Sequence, residues 1–224
     1  MIAAATARED AAVGLASFFA ALSRDSGGDA EPVGLLDEAA LARVVERARA
    51  GDAGARQTLY LQHVDRVFRT VRGMLRSDAD AEDVTQDAML TVLTSLHTYR
   101  PRPGARFAAW VTTIAANTAR RRFRRRRPEL TATGELPETA DEDADPGDDI
   151  DRARRRRALL LALAELSDRE REIVSLRYGA DLNASEIGAG LGLEPAAIRK
   201  TLERARTRLA ARIETLLTPD RGPT

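Results

Sequence analysis

The sequence predicts an all-α protein: two small helical domains joined by a flexible acidic linker, the second a helix-turn-helix. Three observations carry this. Alanine, leucine and arginine dominate while aromatics make up only 4% of 224 residues, a balance that favours helix over sheet. Apolar residues recur at helical spacing through residues 38–128 and again through 153–217. The formal charge of zero hides a segregation: residues 41–128 carry net +10, residues 129–151 net −10 and residues 152–217 net +5. Two basic blocks on an acidic tether suggest two modules that bind a polyanion.

Residues 1–37 form an extension of alanine, glycine and acids, net −5 over residues 1–40. Ala11–Leu22 could form a short helix, but nothing in it carries chemistry. From Leu36 the pattern turns helical. Leu41, Val44, Val45 and Ala48 make one stripe, closed by "AGDAG". Leu59, Tyr60, Val64, Val67, Phe68 and Val71 make a second, ending at Gly73. Ser77 or Asp80 caps a third helix whose apolar face is Ala81, Val84, Ala88, Val92 and Leu96. "YRPRPGAR" breaks the pattern, and a fourth helix starts near Phe107 and stops at Pro128. Residues 129–152 read as the linker, acidic and poor in apolar groups. Its "DEDADPGDDIDR" fails as a calcium loop, because the positions that need glycine and glutamate hold Pro146 and Arg152. In the second domain Ser167 caps a helix, with Glu170 three residues on, that ends at Gly179. A short helix, a turn at Gly192–Glu194 and a longer basic helix follow, the spacing of a helix-turn-helix. Residues 218–224 are a tail.

Three surfaces stand out. In the fourth helix Phe107, Trp110, Val111, Ile114, Ala115 and Thr118 form a core-facing stripe. The opposite face offers Thr113, Asn117, Arg120 or Arg121, and Arg124, and seven of the residues 120–127 are arginine. Arginines neutralise phosphates and an amide can read a base edge. In the last helix Arg199, Lys200, Thr201, Glu203 and Arg204 face outward while Ile198, Leu202 and Ala205 pack inward. Ser185 and Glu186 open the preceding helix. The third helix exposes Asp80, Asp83, Gln86 and Asp87. Acids near a helix start often serve the dipole, which accounts for Asp80 and Asp83 better than for Gln86 and Asp87. In a basic domain such a patch suits a protein rather than DNA.

Catalysis finds little support. His63 and His97 are lone and read as surface or boundary residues, and no phosphate loop or nucleophile motif appears. The chain has no cysteine, and no metal or cofactor is expected. No segment approaches the roughly 20 apolar residues that span a bilayer, so neither signal nor anchor is expected, and a cytoplasmic setting is.

"DAEDVTQDAMLTVLTSL", "RFAAWVTTIAANTARRRFRRRR" and "LAELSDREREIVSLRYGADLNASEIGAGLGLEPAAIRKTLERARTRL" together resemble the extracytoplasmic-function sigma factors of bacterial RNA polymerase. The resemblance covers roughly 38–128 and 153–214. It implies a non-enzymatic initiation subunit that reads −35 and melts −10 DNA. Asp80, Asp83, Gln86 and Asp87 match the surface that docks on the β′ clamp helices of core polymerase, which together with the β subunit is the expected partner. Arg106, Phe107, Trp110, Asn117, Arg120, Arg121, Arg124 and Arg125 fall in the −10 region, with Asn117 at the position that receives a flipped base. Trp110 matches the family tryptophan and, lying on the apolar stripe, is expected to serve the core. Ser185, Glu186, Arg199, Lys200, Thr201 and Arg204 fall in the −35 reader. Arg121 stands where the family often has aspartate, and Thr201 where it often has arginine. An anti-sigma partner is a family expectation. The competing reading is a stand-alone helix-turn-helix regulator, which leaves the first domain unexplained and predicts a dimer on a palindrome.

Overall fold

The computed structural model describes Leu15, Phe19 and residues 36–75, 77–102, 105–126 and 146–218; at 125, 126, 146–150 and 152 only the backbone is described. The first module holds α1 (Glu38–Arg49), α2 (Ala53–Met74), α3 (Asp78–Ser95), a 3-10 turn (Leu96–Thr98) and α4 (Phe107–Arg126). The second holds α5 (Pro146–Ala164), α6 (Asp168–Val174), a π-helical turn (Ser175–Gly179), α7 (Ala184–Leu191) and α8 (Pro195–Leu217). Among the described residues the only bridge outside the helices pairs Arg102 with Ala105, so the all-α class holds.

The helix starts follow side-chain chemistry. Asp37 accepts from Ala40 N at 2.7 Å and Asp52 from Ala55 N at 2.9 Å. Of the two candidate caps for α3 it is Ser77 that serves, accepting from Asp80 N at 3.3 Å. Ser167 with Glu170, and Asn183 with Glu186, each close a capping box. Arg171 does the converse at a helix end. It is buried and donates to Leu163 O (2.9 Å), Ala164 O (3.3 Å) and Leu166 O (3.0 Å), tying the end of α5 to the turn that follows it.

The structure departs from the sequence pattern at α5 and at His63. Helix α5 begins at Pro146, inside the stretch assigned to the linker, and residues 127–145 lie outside the described residues. Proline suits this first turn because its missing N–H would have no partner there. His63 is not a surface group. It is 4% exposed, since it continues the Leu59–Val67 stripe of α2 and tilts against Phe107, ring centroids 5.3 Å apart. His97 is exposed as expected.

The two modules pack on each other. One core joins Leu41, Val45, Leu59, Val67, Val84, Val92 and Val111 to Ile173, Leu176, Leu182, Ile187 and Ile198 of the second module. A second core lies among α5, α6 and α8, with Leu159, Leu163, Val174, Leu209 and Ile213. It also takes in Leu15 and Phe19. Gly179 marks how closely the modules meet: a Cβ there would lie 2.9 Å from Thr70 Cα, so only glycine admits the α2 backbone.

The helix-turn-helix depends on two glycines. Gly192 ends α7 at φ +66°, the left-handed region that glycine occupies freely. Gly188 lets the turn fold back, because a Cβ there would lie 2.5 Å from Leu193 O. A backbone oxygen cannot swing away as a side chain can. Gly188→Ala is therefore expected to destabilise the chain by about 1–3 kcal/mol, the cost of overpacking, read as a lower urea midpoint.

Candidate nucleic-acid interface

Helix α4 is buried on two sides. Phe107, Val111, Ala115 and Thr118 face the first core as the stripe predicted, with Trp110 and Ile114 half-buried. Tyr99, Phe107 and Trp110 form a tilted aromatic cluster with centroids 5.0–5.5 Å apart, so Trp110 packs within the fold. Ala108, Thr112, Ala116 and Ala119 are buried as well. The helix-turn-helix also approaches the polar face of α4: a Cβ on Gly190 would meet Thr113 Oγ1 at 3.1 Å.

The predicted −10 residues fall into two groups. Asn117, Arg121 and Arg124 are exposed. Arg121 leans back on Thr118 Oγ1 at 3.2 Å, and Asn117 Oδ1 accepts from Arg120 at 2.6 Å. Arg125 lies in the described helix, its side chain outside the described part. Arg106 and Arg120, by contrast, are engaged by the second module. Arg106 donates to Glu186 Oε1 at 2.8 Å and Oε2 at 2.9 Å, and to Asp181 O at 2.6 Å. Arg120 pairs with Glu172. Hydrogen bonds from Arg106 hold the Glu186 carboxyl below its ordinary pKa, and the same pair raises that of Arg106.

On the second module Arg199, Lys200 and Arg204 are exposed along α8, with Thr201 half-buried among them. Ile198 and Ala205 are fully buried beneath, and Leu202 partly. Ser185 is exposed at the start of α7. Glu186 is not free to face a ligand: its side chain is 5% exposed, shared between Arg106 and its own cap, where it accepts from Asn183 N at 2.8 Å. The face that would read −35 and the loop before the −10 helix thus meet each other.

The acidic face of α3 divides in the same way. Asp83, Gln86 and Asp87 are exposed. Asp80 is buried and accepts from Arg122 Nη2 at 2.9 Å, while Arg122 also reaches Asp83 at 3.2 Å. The acids hold the Arg122 pKa above its usual value. Arg122 thus ties the arginine-rich helix end to the acidic face, a role that the cationic run did not signal.

Other polar ties cross between the modules. Arg66 donates to Ala180 O at 2.8 Å. Asp78 accepts from Arg156 of α5 at 2.9 Å and from Arg72 of its own module. Glu172 holds Arg169 of its own module at 2.8 Å besides Arg120. Arg66, Glu172 and Asp181 lack a motif, so sequence reasoning passed over them. Among the described residues no cluster of metal-ligating side chains occurs, and no helix is long and apolar enough to cross a membrane.

The chain has counterparts among known proteins. The Sigma-70 region 2 family model matches residues 59–129, and the Sigma-70, region 4 model matches residues 162–211. The chain is 33% identical over 183 residues to the ECF RNA polymerase sigma factor BldN of Streptomyces coelicolor, covering 81% of this chain and 69% of that protein. It is 37% identical over 165 residues to the RNA polymerase sigma factor CarQ of Myxococcus xanthus, covering 74% of this chain and 92% of that protein. Two solved structures share the fold. CnrH in complex with the cytosolic domain of CnrY aligns at TM-score 0.56 and 23% identity, over 77% of this chain and 96% of that one. RpoE of Bartonella quintana, in complex with the anti-sigma factor NepR, aligns at TM-score 0.55 and 19% identity, over 70% of this chain and 96% of that one.

Proposed function

The chain belongs to the extracytoplasmic-function sigma factors of RNA polymerase, the subunits that bind core polymerase and recognise promoters, and from that premise we propose how its surfaces divide the work. Arg199, Lys200, Thr201 and Arg204 read the −35 element, with Ser185 on the flanking backbone. Asn117 receives a base of the opened −10 strand. Arg106, Arg120, Arg121, Arg124 and Arg125 hold phosphates there, while Phe107 and Trp110 support the helix from below. Asp83, Gln86 and Asp87 dock on the β′ clamp helices, with Asp80 setting Arg122 beside them. None of these residues is a catalyst; the chemistry of RNA synthesis belongs to the polymerase. The observation that carries this reading is the placement of two exposed cationic faces on separate modules and an exposed acidic face on a third surface.

Promoter binding requires the modules to part. Elements near −35 and −10 lie about 25 base pairs apart, roughly 85 Å along the duplex at 3.4 Å per base pair. With Arg106 bonded to Glu186 the two readers touch, so both elements cannot be engaged at once. Core polymerase would supply the separation by binding the open arrangement preferentially. The likeness to RpoE, whose structure contains an anti-sigma factor, supports a partner of that kind, which would favour one arrangement in the same manner.

Run-off transcription with core polymerase on fragments of the source genome tests the reading. Discrete starts that appear only with the chain are expected. No starts, together with tight duplex binding by the chain alone, would favour a stand-alone regulator instead. Salt dependence tests the −35 assignment: each of Arg199→Ala, Lys200→Ala and Arg204→Ala should reduce the slope of log K against log salt by about 0.9 if its partner is one phosphate.

A further inference from the structure

Asn117 and Arg120 stand three residues apart on α4 and so share one face of it. Asn117 is exposed, and its Oδ1 accepts from Arg120 Nη1 at 2.6 Å. A guanidinium only donates, so the end of the amide turned toward Arg120 has to be the oxygen. Nδ2, with its two hydrogens, is the end left for a ligand. The guanidinium is itself held in place. Its Nε bonds Glu172, a side chain only 6% exposed, whose other oxygen accepts from Arg169 Nη1 at 2.8 Å. Of these two bonds of Arg120, the one to Glu172 crosses between the modules and the one to Asn117 lies within α4. Parting of the modules breaks the first and leaves the second. It also releases Nε for a phosphate.

An amide that reads adenine uses both of its ends: the oxygen accepts from the amino group while the nitrogen donates to a ring nitrogen. The charge-assisted bond to Arg120 competes for that oxygen. We infer that Arg120 is a positioning residue for −10 recognition. It makes Asn117 a donor, so the captured base is held through an acceptor atom of its edge, and adenine is disfavoured there. The inference deepens the reading of Asn117 given above and rests on it. An Arg120 that held only Glu172 and phosphates would leave base preference alone, because phosphate contacts carry no sequence information. Its loss would weaken every sequence alike, and that is the alternative to be separated.

The test uses single-stranded oligonucleotides of the non-template strand, randomised across the −10 element that the run-off starts locate and recovered on the full chain bound to core polymerase. Asn117→Ala should flatten the base preference at one position, which marks the captured base. Asn117→Asp keeps the shape and loses the N–H donors, so it should lower the preference there about fivefold, the worth of one hydrogen bond. Arg120→Met, which has no donor to hold the oxygen, should lower it about threefold at that position alone. Arg120→Lys, which keeps a donor, should restore it. Adenine enriched at the marked position, or a preference that survives Asn117→Asp, would overturn the inference. So would an Arg120→Met variant that weakens all sequences equally. If Arg120→Met loses helical circular dichroism, Asn117→Asp, at an exposed position, decides alone. Two further outcomes reach the reading beneath. If Asn117→Ala flattens no position while discrete starts are kept, the −10 assignment of Asn117 fails. If the wild-type chain drives no starts, the sigma-factor reading fails.

Discussion

Reversing charge at Asp83 and Asp87 together, to arginine, is expected to abolish promoter-directed run-off while leaving helical content and melting temperature nearly unchanged. The two acids stand on exposed turns of α3, on either side of Gln86, with Leu90 63% exposed one turn further along. Among the described residues the salt bridge at these two acids joins Asp83 to Arg122 at 3.2 Å, a surface pair of the kind that contributes about 0–1 kcal/mol. The fold therefore has little to lose. The interface has much more, since each change turns an attraction to a basic partner into a repulsion. Like charges juxtaposed across an interface cost several kcal/mol, so core polymerase should bind at least about a hundredfold more weakly. Fluorescence anisotropy with labelled chain would measure this, with Glu214→Arg on α8 as the surface control. Affinity for a −35 duplex should not fall. Wild-type affinity of the double variant for core polymerase would remove α3 from the docking surface.

Acid is expected to weaken the fold through His63. Among the described residues its two ring nitrogens find no hydrogen-bond partner, and the ring lies against Phe107. Burial, and secondarily the positive charge of Arg66, pushes its pKa down to about 4 from the ordinary 6.5. The depressed value means that the unfolded chain takes up a proton first as pH falls. Stability from neutral His63 is thus fully present above about pH 6.5, is lost progressively between 6.5 and 4, and falls no further below. The shift corresponds to roughly 3 kcal/mol. Urea titrations at pH 7.5, 5 and 4 should show this loss in the wild type, and a loss smaller by about that amount in His63→Leu. Parallel curves for the two proteins would show that the imidazole is not the acid-sensitive group.

How far the sequence reveals this molecule depends on the range of the interaction. The helices were legible because their causes are local: the Leu41–Ala48 stripe, the Ser167–Glu170 box, and the Gly192 turn all lie within a few residues of the structure they produce. The exposed Asn117, Arg199 and Lys200 followed from periodicity in the same way. Glu186 shows where such reading stops. As the third residue of a helix it looked available to DNA, yet Arg106, eighty residues earlier, occupies its carboxylate. His63 shows the same limit: its neighbours Leu59 and Val67 hinted at burial, but the Phe107 ring that covers it comes from another helix. Phe19 had no local pattern that marked it as a bridge between modules. Its partner is a missing side chain, Gly73, and a gap cannot be read without the element that fills it.

The carboxylates that join the modules share one property. Glu186 keeps the Asn183 amide, Glu172 keeps Arg169, and Asp78 keeps Arg72 when the cation from the opposite module leaves. Rupture of a buried ion pair is usually costly because it strands a charge without a counterpart. Here Glu172 and Asp78 keep a cation and Glu186 keeps a backbone N–H within their own modules, so each acid stays oriented for its partner. Such a joint suits opening and closing without refolding either half.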